Sequence, residues 1–383
     1  MTQSPRPGRP SAWRSSLAAL RPPPLRRERL VAALITLVVA SAGGLALYAV
    51  SAPAAFLTGS ALAASLAVLL RVPLHVPNPV RDASFAMMGM MMGTGVTPEG
   101  LTDMTRLPLA LAGLVLVIVG ATLASYWVLR RMGNYDSLDA YLASVPGHFS
   151  LVMALAVSVE AHVEKVILPQ VLRLFILIVL VPMLLGGPES ATFRAATPDD
   201  YGPASVALTV AVAFLSAVGA TLLRIPAGML IGPMVASTIL SGTVLMQIAV
   251  PVWMGAAAFI VLGAIIGARF RAIRREGLRR MLAAALASFV AAAVVAVAVS
   301  VAVAFLIGES VAVMFLGYAP GGLDAMIALS FLLGFDVALV ALLHTGRMIL
   351  LGFGAPLALP WFERRRARQV PAALDDPPEG VPR

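Results

Sequence analysis

The sequence predicts an all-α polytopic membrane protein made of two inverted repeats, each with about five membrane-crossing helices plus one broken or re-entrant segment. Three observations carry this. First, hydrophobic residues make up 60% of the 383 and charged residues 12%, at a mean hydropathy of +0.91. A soluble domain carries roughly 25% charged residues, so so few charges cannot clothe a water-facing globule. Second, apolar runs alternate with short polar breaks from Leu30 to about residue 360. Third, the second half of the chain repeats the first.

Taken in order, residues 1–29 form a basic tail with seven arginines against one acid, Glu28. Pro22, Pro23 and Pro24 deny it a helix, and it reads as a disordered cytoplasmic tail. The long apolar run behind it lacks a small-residue cleavage site, which argues against a cleaved leader. The tail is also too short to hold a folded nucleic-acid reader. A helix needs about 20 residues to cross a bilayer. The first repeat, 30–186, supplies segments at 30–50, 53–71, 80–98, 107–130, 138–158 and 165–186. A polar linker follows, 187–202. The second repeat, 203–360, supplies segments at 203–223, 226–246, 248–268, 281–307, 310–335 and 336–358. Residues 361–383 read as a second disordered cytoplasmic tail, with Trp361 and Phe362 at the interface.

The duplication rests on residue types that rarely coincide by chance. A shift of 174 sets Gly89 on Gly263, Gly93 on Gly267, Pro146-Gly147 on Pro320-Gly321, Arg173 on Arg347 and Pro182 on Pro356. A shift of 173 sets Pro53-Ala54 on Pro226-Ala227 and Gly59 on Gly232. Arginines prefer the cytoplasmic side of a bilayer. The N-terminal tail, Arg71 with Arg81, Arg130 with Arg131, the cluster from Arg269 to Arg280 and Arg364 to Arg366 all fall inside if one segment per half fails to cross. The acidic linker (Glu189, Asp199, Asp200) then lies outside. The fifth segments, 138–158 and 310–335, are the natural ones to enter and leave on one side, because each carries a Pro-Gly break; 80–98 is the alternative. Five crossings per half is odd, so the halves are inverted.

Inverted repeats with broken helices mark secondary transporters. A break at membrane depth frees backbone groups that protein, water or a solute must satisfy. Pro146, Gly147, Pro320, Gly321 and Gly322 make the breaks, and His148, Ser150 and Asp324 follow them, so these eight residues are the candidate substrate site. An ordinary loop, with Asp324 as a helix cap, is the competing reading. Asp336, His344 and Arg347 return to one helical face. With Arg173 they are candidates for ion coupling or for an internal charge network, and either arginine can grip a carboxylate or phosphate through two bonds. Glu160, His162, Glu164 and Lys165 read as an interfacial polar loop. The Met87–Met92 run beside Gly89, Gly93 and Gly95 reads as close helix packing rather than a soft-metal site. The absence of cysteine excludes thiolate ligands, and the four histidines show no ligand spacing. No cofactor, metal or catalytic residue is therefore expected.

The stretches 145–156 (VPGHFSLVMALA) and 318–349 (YAPGGLDAMIALSFLLGFDVALVALLHTGRMI) resemble the AbrB family of bacterial membrane proteins, whose duplication here runs from about 30 to 360. The resemblance implies a multi-pass protein of the bacterial inner membrane with both termini cytoplasmic. Members are labelled ammonia monooxygenases or regulators of gene expression. They also look like the wider group of cation–proton antiporters and anion transporters. The residues favour a transporter or exporter of a small molecule or ion, working by alternating access, over an enzyme or a nucleic-acid binder. The bilayer and the solute are the expected partners. A homodimer is implied by the transporter resemblance alone. A membrane-bound regulator acting through a partner is the alternative.

Overall fold

The computed structural model describes residues 27–96, 107–147, 149–186, 202–242, 248–272 and 278–367. Among them the regular elements are fourteen α-helices and a 3₁₀ turn, with no strand. The first half holds α1 (Arg27–Ala49), α2 (Ala55–Leu69), α3 (Asn78–Thr94), α4 (Leu107–Met132), α5 (Ser137–Ser144), α6 (Phe149–Ser158) and α7 (Val163–Leu185). The second holds α8 (Pro203–Leu222), α9 (Gly228–Gly242), α10 (Val252–Ala268), α11 (Leu278–Ile307), α12 (Val311–Tyr318), α13 (Leu323–Leu332) and α14 (Val337–Ala367), with the 3₁₀ turn Arg269–Ala272 after α10. The order repeats, and so do the lengths. α2 and α9 have 15 residues each, α3 and α10 have 17, α5 and α12 have 8, and α6 and α13 have 10.

The backbone repeats as well. Ser51 and Ala54 ahead of α2 adopt left-handed φ values of 53° and 50°, and Arg224 and Ala227 ahead of α9 adopt 58° and 52°. Left-handed backbone costs a non-glycine residue about 1–2 kcal/mol, so its recurrence in the same register reflects a shared chain path. After α6 the turn residue is Glu160 (φ 50°), and after α13 it is Gly334 (φ 74°).

Packing exchanges neighbours between the halves. α2 lies on α10, α3 lies on α9, and α4 pairs with α11. Matched glycines permit these crossings. A Cβ on Gly89 would collide with the Leu230 carbonyl and one on Gly93 with the Met234 carbonyl. On the other side, a Cβ on Gly263 would lie 2.5 Å from the Leu57 carbonyl, and one on Gly267 would lie 2.6 Å from Ala64 Cβ. Small residues let helices approach closely where lipid offers no hydrophobic drive. The methionines of α3 fill the same seam: Met88, Met90, Met91 and Met92 are buried. Ser237 donates to the Met90 carbonyl at 2.6 Å and Thr238 to the Gly93 carbonyl at 3.1 Å.

Seven of the described helices are long and apolar enough to cross a bilayer: α1, α4, α7, α8, α10 with its 3₁₀ turn, α11 and α14. The protein is an all-α polytopic membrane protein. α7 is central, with 72% of its apolar stretch buried, against 22% for α8. α2 and α9, at about 1.5 Å per residue, reach roughly 22 Å, short of the ~30 Å core. Both were expected to be longer. The Pro-Ala turn before each and its left-handed residue delay the helix start, to Ala55 and Gly228.

The helix ends differ from expectation at two places. α1 begins at Arg27, inside the expected 1–29 tail, and residues 1–26 lie outside the described residues. α14 passes Pro356 and Pro360 and continues to Ala367, so the expected 361–383 tail is in part helix. Contacts to α5 and α4 hold that end. Phe362 stacks on Tyr141 at 4.1 Å and tilts against Tyr126 at 5.5 Å, and Ser137 donates to the Phe362 carbonyl at 3.3 Å.

Candidate functional site

Each half contains one interrupted helix. α5 stops at Ser144 and α6 starts at Phe149, with Val145-Pro146-Gly147 between them. α12 stops at Tyr318 and α13 starts at Leu323, across Ala319-Pro320-Gly321-Gly322. Proline lacks an N–H and clashes with the preceding turn, so helical bonding fails at equivalent places. The carbonyls left over are gripped by the last helix of the same half.

In the first half Gln170 Nε2 donates to the carbonyls of Leu142 (3.0 Å), Ala143 (3.4 Å) and Val145 (3.0 Å). Arg173 Nη2 donates to Gln170 Oε1 at 2.6 Å and to the Val145 carbonyl at 3.4 Å. In the second half His344 Nε2 donates to the Leu316 carbonyl at 2.9 Å. Arg347 Nη1 donates to the Ala319 carbonyl and its Nη2 to the Gly321 carbonyl, both at 2.6 Å, and Nη2 also meets His344 Nδ1. Adding 174 turns Gln170 into His344, Arg173 into Arg347, Leu142 into Leu316 and Val145 into Ala319. The two clamps are copies. A glutamine in an apolar segment, one turn before an arginine, was the sequence signal for Gln170; the expected site did not include it.

The helices also reach across. Gly147 of the first break lies against Leu351 of α14, where an added Cβ would be 3.8 Å from Leu351 Cδ1. Gly322 of the second lies against Leu174 of α7, at 3.3 Å from its Cδ2 on the same measure. α7 and α14 therefore each touch both breaks. This brings together Pro146, Gly147, Pro320, Gly321, Gly322, Arg173, His344 and Arg347. His148 lies outside the described residues. Ser150 is exposed on the first turn of α6 and Asp324 is half-buried on the first turn of α13. Asp324 acts electrostatically on Arg269 of the 3₁₀ turn, whose guanidinium sits 5.1 Å from the centre of the Phe149 ring. Asp336 stands apart from the clamp: its Oδ1 accepts the Leu339 N–H at 3.0 Å, which caps α14.

The charge balance is unusual. Arg173 and Arg347 are 5% and 4% exposed, and Arg173 bears electrostatically on Arg347. Among the described residues no carboxylate pairs with either. Arg173 Nε is buried without a hydrogen-bond partner. A charged side chain at mid-membrane costs about 2.5–3.5 kcal/mol on insertion scales, and here two share one centre.

A second polar group sits at the start of α5. Asp136 caps the helix by accepting the Asp139 N–H at 2.7 Å. Asp139, fully buried, accepts from the His162 N–H at 2.9 Å and meets His162 Nδ1 at 2.8 Å and Lys165 Nζ at 3.8 Å. Asp136, Asp139 and His162 present ligand atoms within 4.8 Å of one another, but the histidine and lysine already serve Asp139. Tyr135, in the turn ahead, has its phenol pushed up by burial and by Asp139.

Two like halves, each with an interrupted helix clamped by a buried arginine, define a multi-pass membrane protein built around a central polar site. The chain belongs to the AbrB family: the profile described as "Transition state regulatory protein AbrB" matches residues 56–363. An Escherichia coli (strain K12) protein provisionally named regulator AbrB is 25% identical over 306 residues, which is 78% of this chain and 87% of the relative. Protein YhjN of Bacillus subtilis (strain 168) is 26% identical over 257 residues, 62% of this chain and 66% of the relative.

Proposed function

We propose that this AbrB-family protein is a secondary transporter of a small solute, working by alternating access in the bacterial inner membrane. The observation that carries the reading is the pair of interrupted helices at equivalent places, each touched by both α7 and α14. Broken helices at a repeat interface are how transporters expose backbone groups to a solute. With one break from each half facing one centre, rocking of one half against the other opens the site to either side in turn. The reading makes the protein a carrier rather than an enzyme.

The chain has no cysteine, so Asp324→Cys creates a sole thiol beside the second break. A membrane-impermeant maleimide is expected to label it from either face, tested separately on right-side-out and inverted vesicles. Labelling from one face only, or from neither in folded protein, overturns alternating access. The names of the family and of the Escherichia coli relative favour a second reading, a membrane-bound regulator acting through a partner. Under that reading, deletion of residues 1–25 abolishes the regulatory effect while leaving the maleimide pattern unchanged.

A further inference from the structure

We infer that the solute carries an anionic group, a carboxylate, sulfonate or phosphate, received between Arg173 and Arg347 where the two helix breaks meet. The inference rests on the transporter reading and assigns the class of its substrate.

The clamps supply the first reason. The carbonyl ends of broken helices are where ion-coupled transporters hold a cation. Here those ends are filled. Gln170 and Arg173 take the carbonyls that end α5, and His344 and Arg347 take those that end α12 and form the second break. Each arginine is a resident cation at a place where a mobile one would otherwise sit.

The second reason is what the arginines leave over. Arg347 directs three hydrogen-bonding contacts at Ala319, Gly321 and His344. Arg173 engages only Nη2, and its buried Nε–H has no partner. A guanidinium offers five donors in a planar fork that fits carboxylate and phosphate oxygens. Two such groups buried together without a carboxylate repel one another, and an anion between them turns that repulsion into attraction.

Helix polarity is the third. α6 and α13 both begin at the breaks, so their N-terminal N–H groups and the positive ends of their dipoles face the centre. Gly322 is the N-cap of α13, with Leu174 Cδ2 and Asp324 Oδ1 3.3 and 3.8 Å from where a Cβ would stand, and Arg347 holds the carbonyl of the residue before it. Asp324 is the one acid on the first turn of α13, and Arg269 opposes it. Among the described residues neither Arg173 nor Arg347 has a carboxylate partner, so both buried charges remain for a ligand to meet.

The test is ligand-dependent thermal stability of the purified full chain in a neutral maltoside detergent. The probes are inorganic phosphate, succinate and ethanesulfonate as anions, ethylammonium and spermidine as cations, and phosphatidylglycerol as an anionic lipid. Wild type is expected to be stabilised by at least one of the three anions and by neither cation. Arg173→Gln, which keeps donors but removes charge, is expected to weaken that anion at least tenfold. Arg173→Lys is expected to retain part of the response, and a folded Arg173→Lys serves if the glutamine variant fails to fold. Stabilisation by cations and not anions, lost in Asp324→Asn, overturns the anion assignment while leaving the transporter reading standing. Stabilisation by phosphatidylglycerol alone overturns it too, because the arginines then hold a structural lipid. No response to any probe, together with one-sided maleimide labelling, removes the transporter reading and this inference with it.

Discussion

Gln170 and His344 do the same work in the two halves, and that bears on what the histidine is for. Both donate to the carbonyl of the equivalent leucine, Leu142 or Leu316, and both receive the neighbouring arginine. A side chain with one nitrogen donating and the other accepting is a neutral imidazole, and its counterpart, an amide, cannot titrate. His344→Gln is therefore expected to keep thermal stability within about 1 kcal/mol and to leave the pH profile of ligand binding unmoved. His344→Leu strands the Arg347 donor and the Leu316 carbonyl in a buried site and is expected to cost about 1–3 kcal/mol. A pH profile that shifts in His344→Gln would instead make the histidine a proton carrier. The residues legible in the sequence here were those whose chemistry is extreme in an apolar run: proline and glycine at the breaks, arginine behind them. Gln170 was not, because an amide carries no charge and only its three carbonyl partners reveal its role. Asp139 was missed for a related reason. It opens a segment, where acids are usually solvated caps, and only the fold carries His162 and Lys165 back to it.

Elements were legible where a boundary has a local cause. Pro203 starts α8, the Pro-Gly pairs split the fifth segments, and charges bracket α4. Tertiary contacts set the rest. α14 outruns Pro360 because Tyr141, Tyr126 and Ser137 hold its end, and a sequence window does not contain those partners. The crossings of α3 with α9 and α10 with α2 depend on glycines that the duplication had already matched. Filling such a site forces the backbones apart, and overpacking of this kind costs about 1–3 kcal/mol. Gly93→Leu and Gly267→Leu are each expected to lower the unfolding temperature of detergent-purified protein, by similar amounts because the two crossings are copies. Gly354 on α14 has nothing within 4 Å of an added Cβ, so Gly354→Leu is expected to be nearly neutral. A neutral Gly93→Leu would mean that α3 and α9 do not cross as closely as described.

At the scale of the whole molecule, the exchange of neighbours requires a two-fold relation between the halves. α2 with α10 becomes α9 with α3, and α4 with α11 maps onto itself. The same operation swaps Gly147–Leu351 with Gly322–Leu174, give or take one turn of helix. Such an axis can run along the membrane normal, leaving the halves parallel, or lie in the membrane plane, leaving them inverted. The side on which the junction between the halves lies decides between the two. Arg27 and Arg29 open α1 and Arg364 lies near the end of α14, so the start of one half and the end of the other are both basic. Arginine-rich ends stay on the cytoplasmic side. Halves that cross alike put both basic ends on one side whatever the count, but only an odd count per half, the in-plane axis, puts the junction after α7 on the opposite side, as the inverted reading of the sequence expects. A fluorescent-protein fusion at Arg383 is then expected to glow, and alkaline phosphatase fused directly after Gly186 is expected to be active outside the cytoplasm. An inactive phosphatase after Gly186 makes the halves parallel, and an active one at Arg383 means that the two halves do not cross the same number of times. In an inverted pair the two breaks enter from opposite faces, so exchanging the conformations of the two halves turns a site open to one side into a site open to the other, and the reporter pattern tests the symmetry on which that form of the transport cycle rests.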